Sequence, residues 1–573
     1  MKFLLGIINN SSKKFIINYF SLIILTFFSG FLEILGIGLI LPIFAIIIKA
    51  DTNFFFLKYI LKYVPDFFIE LSNEKKIFSI FILIFLLIFF KNIFLLFTKW
   101  RAGKFSAEFA IFISRKILSN FFNLKFSDHK YKSTADLIKD IQSESSIVSR
   151  MLSSLSLVIS ESFYLIILLI FIFLLEPFSL VLVCLLFLIF YLIYRLTKKK
   201  ITQLSNLKQK AELIQISLLS DLSSGLNEIK ILNKGRIFYE RIISNFSKLV
   251  YGVFFQGFLT EIPRLFGEIF IVASIIFFSI SLNFFGKNID EIFLTVSIFI
   301  LICLRILPSL NKILYNIQII HSNSSVIQNI NQELSKIIKI NNYSIKKNSF
   351  SYFSLKKISF KYQNSKNKII HNLNFIITSG QKISIMGASG IGKSTLLNII
   401  LGFIRPDKGH IIVDGKKIKE DNVMLWRNIL GYVGQTSFIL NDTLKYNLTL
   451  DENNKEFLDN KKILDILKIC CLDNFLKDID YNLNYNLGEK GAFLSGGQRQ
   501  RICIARSLLS NPKVLVLDEA TNSLNEKLEA QILNNIINKF PDISLIIVSH
   551  RKSINKFCDR VFNFKNKKLF LLK

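Results

Sequence analysis

The chain has 573 residues, a formal charge of +31 and a hydrophobic fraction of 51%, a length that favours two or more domains. Its Phe, Ile and Leu crowd as long runs into roughly the first 320 residues, which excludes an ordinary soluble protein. The positive charge is spread along a chain rich in Lys, Asn, Ile and Phe throughout; with no Lys/Arg stripe interleaved with aromatics, it makes no case for nucleic-acid binding.

The N-terminal MKFLLGIINNSSKKF is mildly basic but lacks a small-residue cleavage site. The apolar stretch after it is too long for a signal peptide, so it is expected to stay as a span. Runs able to cross the hydrocarbon core fall near residues 15–48, 77–97, 157–175, 178–195, 262–285 and 291–312. Glu176-Pro177 splits the third from the fourth as a tight hairpin, and Gly286-Lys287-Asn288 punctuates the last pair. The connection after span two carries Lys99, Arg101, Lys104, Arg115, Lys116, Lys125, Lys130 and Lys132. The connection after span four carries Arg195, Lys198, Lys199, Lys200, Lys208, Lys210, Lys230 and Lys234. Basic loops stay on the cytoplasmic side, so both long connections and both termini are expected there. The connections are amphipathic, and no Pro lies between Lys99 and Arg150, so helices should continue the spans into the cytoplasm. Pro42 and Pro308 sit inside apolar runs, where Pro removes a backbone bond and kinks a helix. Packing accommodation and hinge both stay open for them.

Cys184, Cys303, Cys470, Cys471, Cys503 and Cys558 have no metal-ligand spacing and read as packed, reduced thiols. After Ile320 the composition turns to Ser, Asn and Lys, and residues 322–350 show no sustained periodicity. The expected division is a helical transmembrane domain over 1–325, a linker over 326–350 and an α/β domain over 351–573. In the last, short strand candidates (Ile383 to Met386, Val514 to Leu517, Leu545 to Val548) alternate with helical patterns.

Three motifs carry chemistry. Gly387-Ala388-Ser389-Gly390-Ile391-Gly392-Lys393-Ser394-Thr395 follows the strand ISIM and precedes the helical run LLNIIL, the context a P-loop needs. Its backbone N–H groups and the helix N-terminus favour phosphate. Lys393 should reach the β- and γ-phosphates, and Ser394 should ligate Mg²⁺. Leu494-Ser495-Gly496-Gly497-Gln498 opens a second helix, where hydroxyl and amide donors make another anion site; Ser495 also suits a plain N-cap. Val514 to Glu519 reads as a buried strand ending in Asp518, facing the metal, and Glu519, the candidate general base.

With these motifs in this order, the whole chain resembles a half-size ABC exporter: six membrane helices followed by one α/β P-loop ATP-binding cassette. The resemblance implies an ATPase-coupled transporter using ATP and Mg²⁺, multi-pass in a bacterial inner membrane. It implies that Tyr362, in SFKYQ, stacks on adenine. Gln435, in YVGQTSF, then touches Mg²⁺ and senses the membrane domain, and His550, in IIVSH, contacts the γ-phosphate. The LSGGQ of one cassette closes over the P-loop of another, so the simplest working assembly is a homodimer. The membrane connections should couple through their tips near Asp128 to Thr134 and Asp221 to Asn227. One departure stands out: where the family reads SALD, residues 522–525 are Asn-Ser-Leu-Asn. Asn525 can hydrogen-bond across the dimer but carries no charge, so coupling of the two sites should be altered.

The segments FLEILGIGLILP (31–42), EIPR (261–264) and LRILPSLNK (304–312) are similar to bacterial flippases of lipid-linked oligosaccharides. That subgroup implies a polyprenyl-diphosphate glycan as cargo; lipid A, peptide or drug export stays open, as does a channel or regulator without turnover. An ionisable side chain at the centre of a span costs about 2.5–3.5 kcal/mol. Lys91, Arg264, Arg305 and Lys312 lie in or near apolar runs, with Arg305 about 21 Å into the last span. Cations there suit a diphosphate. Snorkelling, or pairing with Glu33, Glu261 or Glu268, is the alternative.

Overall fold

The computed structural model describes residues 13–38, 73–124, 133–175, 179–284, 286, 289–335, 350–362, 367–419, 422–451 and 459–573. Pro42, the Glu176-Pro177 hairpin, Lys287-Asn288 and most of the tip near Asp128 lie outside the described residues. The chain divides into two compact units, one of residues 1–124 and 129–338, the other of 125–128 and 339–573.

The first unit is helical: α1 (Lys13–Gly38), α2 (Asn73–Asn123), short α3 (Thr134–Ile138), a π turn (Lys139–Glu144), α4 (Ser145–Leu175), α5 (Ser179–Ser224), short α6 (Leu226–Ile231), α7 (Gly235–Phe284), α8 (Ile289–Ser322) and α9 (Ser324–Ser335). Among the described residues, five helical stretches are long and apolar enough to cross a membrane: Lys13–Leu32, Thr134–Ile170 (from α3 through the π turn into α4), Leu180–Ser224, Gly235–Phe284 and Thr295–Ser322. The expected second span falls in α2, a helix of 51 residues. Helices α2, α5 and α7 run on well past the apolar stretches, as expected of the amphipathic connections. Pro308 lies inside α8 and Pro263 inside α7, and neither ends its helix.

Two cores hold the bundle. Tyr19, Phe105, Phe109, Met151, Val326 and Ile330 join α1, α2, α4 and α9. Leu168, Phe190, Phe278, Phe299 and Ile306 join α4, α5, α7 and α8. Close approach in the second core requires Gly267: a Cβ there would lie 2.6 Å from Leu307 Cδ1 and 2.7 Å from Phe190 Cε2. Small residues let apolar helices gain packing contacts where lipid offers no hydrophobic drive.

The stretch read as a helix tail and linker instead opens with α9. Val326, Ile327, Ile330 and Leu334 are buried on one face of it, and Asn120 donates to its Glu333 carbonyl at 2.6 Å. Its amphipathic repeat is only 12 residues long and is set among Ser and Asn, so composition masked it.

The second unit has a four-stranded antiparallel sheet, β2-β1-β4-β5, and a six-stranded sheet in the order β10-β9-β3-β8-β7-β6. The strands are β1 (Tyr352–Phe360), β2 (Ile370–Thr378), β3 (Lys382–Met386), β4 (Lys408–Val413), β5 (Lys416–Lys417), β6 (Leu430–Val433), β7 (Val514–Asp518), β8 (Ser544–Val548), β9 (Arg560–Lys565) and β10 (Lys568–Leu571). The helices are α10 (Lys393–Ile400), α11 (Val423–Arg427), α12 (Leu444–Thr449), α13 (Asn460–Ile469), α14 (Asp473–Asp478), α15 (Gly496–Leu509) and α16 (Glu526–Lys539). Strands β6, β7, β8, β3 and β9 are parallel. Alternation along β7 sends Leu515 and Leu517 into one core and Val514 and Val516 into the other. Both faces are covered, which is why these strands read as continuous apolar runs.

Trp426 anchors the second of these cores. It is 1% exposed, stacks on Phe353 at 4.6 Å and donates its ring N–H to the Ile400 carbonyl at 2.6 Å. Trp426→Ala removes the largest buried side chain and orphans that carbonyl. It should destabilise the cassette by about 3–5 kcal/mol, seen as a lower calorimetric transition of the full chain; an unchanged transition would contradict this packing.

Candidate functional site

Parallel strands deliver their C-terminal ends to one edge, and there the motif residues meet. Gln435 follows β6, Glu519 follows β7, His550 follows β8 and the glycine loop follows β3. Because β6, β7, β8 and β3 are neighbours in the sheet, four segments far apart in sequence become adjacent.

The loop bends through left-handed backbone at Gly390 (φ +75°) and Gly392 (φ +117°). A Cβ on Gly392 would also lie 2.7 Å from Ile369 Cγ2, so only glycine fits there. Helix α10 then starts at Lys393. The Lys393 ammonium donates to the Gly387 carbonyl at 2.6 Å and lies 2.8 Å from His550 Nε2. Burial pulls its pKa below the usual lysine range, and the charges of Glu519 and Asp518 oppose that shift. Ser389, Gly390 and Ser394 are exposed at the loop surface, while Thr395 is buried.

Glu519 is the hub. Its backbone is left-handed (φ +49°), a costly conformation for a side-chain-bearing residue and one found at functional sites. One carboxylate oxygen accepts from Gln435 Nε2 and from Asn522 Nδ2, both at 3.1 Å. The other lies 3.0 Å from His550 Nε2. A single imidazole nitrogen cannot accept from Lys393 and donate to Glu519 at once, so the ring proton decides which contact is a hydrogen bond. Asp518 ends β7 half-buried; burial, then the Glu519 charge, raises its pKa, against Lys393 and the Tyr432 hydroxyl, which hydrogen-bonds to it.

Tyr362 packs edge-on against Phe360 at 5.0 Å, and its hydroxyl lies 3.3 Å from Thr395 Oγ1. Ser394, Gln435 and Asp518 offer hydroxyl, amide and carboxylate oxygens, the hard donors that suit Mg²⁺. Among the described residues no cluster of three His, Cys, Asp or Glu competes as a metal site. One carboxylate plus phosphate oxygens is the usual Mg²⁺ arrangement, so the donor set fits.

The LSGGQ turn stands apart. Ser495 Oγ accepts from Gln498 N at 3.2 Å, and Gln498 Oε1 accepts from Ser495 N at 2.7 Å, a capping box that starts α15. Among the described residues no hydrogen bond joins residues 495–498 to the Lys393–Glu519–His550 cluster. Asn525 Oδ1 accepts from Leu528 N at 2.8 Å and caps α16. The amide oxygen is thus used inside its own chain.

Sequence reading missed three contributors. Asn522 and Tyr432 lay in quoted motifs, but only the β6–β7 pairing brings Tyr432 to Asp518. Arg551 reaches the Asn522 and Leu524 carbonyls and the buried Glu529, tying the segment after His550 to the loop after Glu519.

In the helical unit, Arg264 pairs with Glu268 at 3.2 Å and Glu261 at 3.7 Å. Lys312 pairs with Glu161 at 2.7 Å. Lys91 and Arg305 are partly buried and make no hydrogen bond or ion pair among the described residues. The four cations do not form one cluster: Arg264 is exposed on α7, whereas Lys312 is fastened to α4.

Residues 370–522 match the family model described as ABC transporter. That match implies ATP binding by the segment. A putative export ATP-binding/permease protein of Rickettsia typhi is 37% identical over 194 residues, covering 34% of this chain and 33% of the relative. A leukotoxin translocation ATP-binding protein of a Pasteurella haemolytica-like species is 36% identical over 193 residues, covering 34% and 27%. ABC transporter B family member 13 of Arabidopsis thaliana is 37% identical over 198 residues, covering 34% and 15%. The alignments therefore span a third or less of these relatives' own length. The solved structure of a bacterial Atm1-family ABC exporter with ATP bound superposes with a TM-score of 0.76 at 17% identity, over 97% of this chain and 94% of that one. The fold is that of an ABC exporter, a helical unit followed by one cassette.

Proposed function

We propose that the chain is an ATP-hydrolysing transporter that works as a homodimer and flips or exports a lipid-linked anionic glycan, a polyprenyl-diphosphate oligosaccharide, across a bacterial inner membrane. Six helices cross the bilayer in this reading, with the cassette and both termini cytoplasmic. The observation that carries the ATPase is the convergence of Lys393, Gln435, Glu519 and His550 at one sheet edge.

Tyr362 stacks on the adenine, and residues 387–395 wrap the phosphates. Glu519 takes a proton from the attacking water as the water oxygen bonds to the γ-phosphorus and the bond to the leaving ADP oxygen breaks. Lys393 and His550 neutralise charge on the transferred group. Bound Mg²⁺, held by Ser394, Gln435 and Asp518, would screen the phosphate charge. Ser495, Gly496, Gly497 and Gln498 of the second copy complete the site.

Arg305 supports the anionic cargo: it is a partly buried guanidinium in an apolar helix, without a partner among the described residues. Lys91 joins it as a weaker candidate. For Arg264 and Lys312 the ion pairs support the plainer role of neutralised charges. The likeness of the cassette to a leukotoxin translocation protein favours peptide as the second cargo class. Proteoliposomes decide between them: ATP-dependent movement of a fluorescent polyprenyl-diphosphate glycan supports the first reading. Transport of a peptide with no movement of the glycan lipid would overturn it.

A further inference from the structure

Helices α1 and α2 pack side by side and antiparallel, with Phe28 on Phe94 at 5.3 Å and Tyr19 on Phe105 at 5.7 Å. Between these contacts lies a cavity of about 430 Å³, lined by Ser21, Ile24 and Leu25 from α1 and Phe97, Trp100 and Arg101 from α2. It is graded along its length. Helical spacing places Phe97, Trp100, Arg101 and Lys104 on one face of α2. Towards Phe94 and Phe28 the lining is Ile24, Leu25 and Phe97; about two turns from Phe94 it becomes Ser21 and Arg101, with Lys104 about one turn beyond on the same face of α2.

The polar end is built for negative charge. Lys104 Nζ lies 5.3 Å from the centroid of the Trp100 ring. Arg101 has no hydrogen bond or ion pair among the described residues. No acidic residue occurs in α2 between Lys75 and Glu108, and α1 has only Glu33. Trp sits by preference at headgroup level, and basic pockets between membrane helices on the cytoplasmic side hold anionic headgroups.

We propose that this groove binds an anionic phospholipid of the cytoplasmic leaflet, its phosphate on Arg101 and Lys104 and an acyl chain along Ile24, Leu25 and Phe97. The assignment rests on the membrane orientation proposed above but not on the cargo. The lipid is a resident of the α1–α2 groove and takes no part in turnover.

The chain carries its own reporter. It has two tryptophans; Trp100 is 57% exposed and Trp426 is 1% exposed, so a quencher in the lipid reaches only the first. The full chain is placed in nanodiscs with acyl-nitroxide phosphatidylglycerol or the matching phosphatidylcholine. The phosphatidylglycerol should quench Trp100 at a several-fold lower mole fraction. Arg101→Gln or Lys104→Gln should each raise the fraction required about five-fold, Arg101→Lys should restore part of it, and high salt should narrow the difference. Equal quenching by the two lipids, or no change in either Gln variant, would mean ordinary annular lipid and overturn the site. Glu519→Gln should leave the quenching as it is; quenching that followed turnover would make the groove part of transport and refute a resident lipid. None of these outcomes alters the proteoliposome test of the cargo.

Discussion

Glu519→Gln should lower the ATPase rate of the reconstituted protein by about 10²–10⁴-fold, the usual contribution of a positioned general base. The amide has the shape of the carboxylate and keeps one oxygen to accept from Gln435 or Asn522, both at 3.1 Å in the native site. What it loses is the capacity to take a proton. Nucleotide affinity, set by the glycine loop and Lys393, should stay within a few-fold, because among the described residues no hydrogen bond joins the Glu519 side chain to either. The two measurements together separate base chemistry from damage to the site. A variant that hydrolyses ATP at a rate close to the native one would remove Glu519 from the mechanism. Equal, near-zero rates in both proteins would favour a nucleotide-binding regulator without turnover.

Arg305→Ala should cut movement of the glycan lipid about 10–100-fold while leaving basal ATPase within about two-fold. A hydrogen bond to a charged group contributes about 1.5–3 kcal/mol, so loss of a phosphate contact should cost about 10–100-fold in transport. Arg305→Lys should recover only part, because an ammonium is a point charge without the planar fork. The contrast with Lys312 sharpens the test. Lys312 is held by Glu161 at 2.7 Å, and its removal leaves a partly buried carboxylate unpaired, so Lys312→Ala should harm folding and ATPase together. Normal flipping by Arg305→Ala would take this residue out of the cargo path.

The cassette was legible because its chemistry is local. A glycine loop between strand and helix, and an acid pair at the end of an apolar strand, are each short patterns with one physical use. What the sequence could not show was which of these patterns meet. Gln435 and Glu519 lie 84 residues apart, and only the sheet order places them within a hydrogen bond. Tyr432 and Asn522 escaped for the same reason: their partners are defined by strand pairing and by a loop turn. Asn525 illustrates a different limit. Its type was read correctly as an uncharged amide, but a cap on α16 competes for its oxygen, and caps are decided by backbone direction. In the membrane half, apolar length marked the spans but not their neighbours, so the pairing of Lys312 with Glu161, across 151 residues, was out of reach. Helix α9 was missed because a short amphipathic repeat among Ser and Asn looks like a linker until the face it covers is known.

In the proposed homodimer each working site joins Lys393 and Glu519 of one copy to the Ser495 turn of another. Complementation in a mixed dimer tests it most directly. Lys393→Ala and Ser495→Arg should each inactivate the homodimer. When the two variants are co-expressed and the mixed dimer is isolated by two affinity tags, one of its sites contains only native residues. ATP hydrolysis should return to a substantial fraction of the native rate, while a mixed dimer of native chain with the Lys393→Ala, Ser495→Arg double variant should stay inactive. A silent mixed dimer of the single variants, beside an active mixture with the double variant, would show that each cassette is complete in itself and rule out a site shared between two copies.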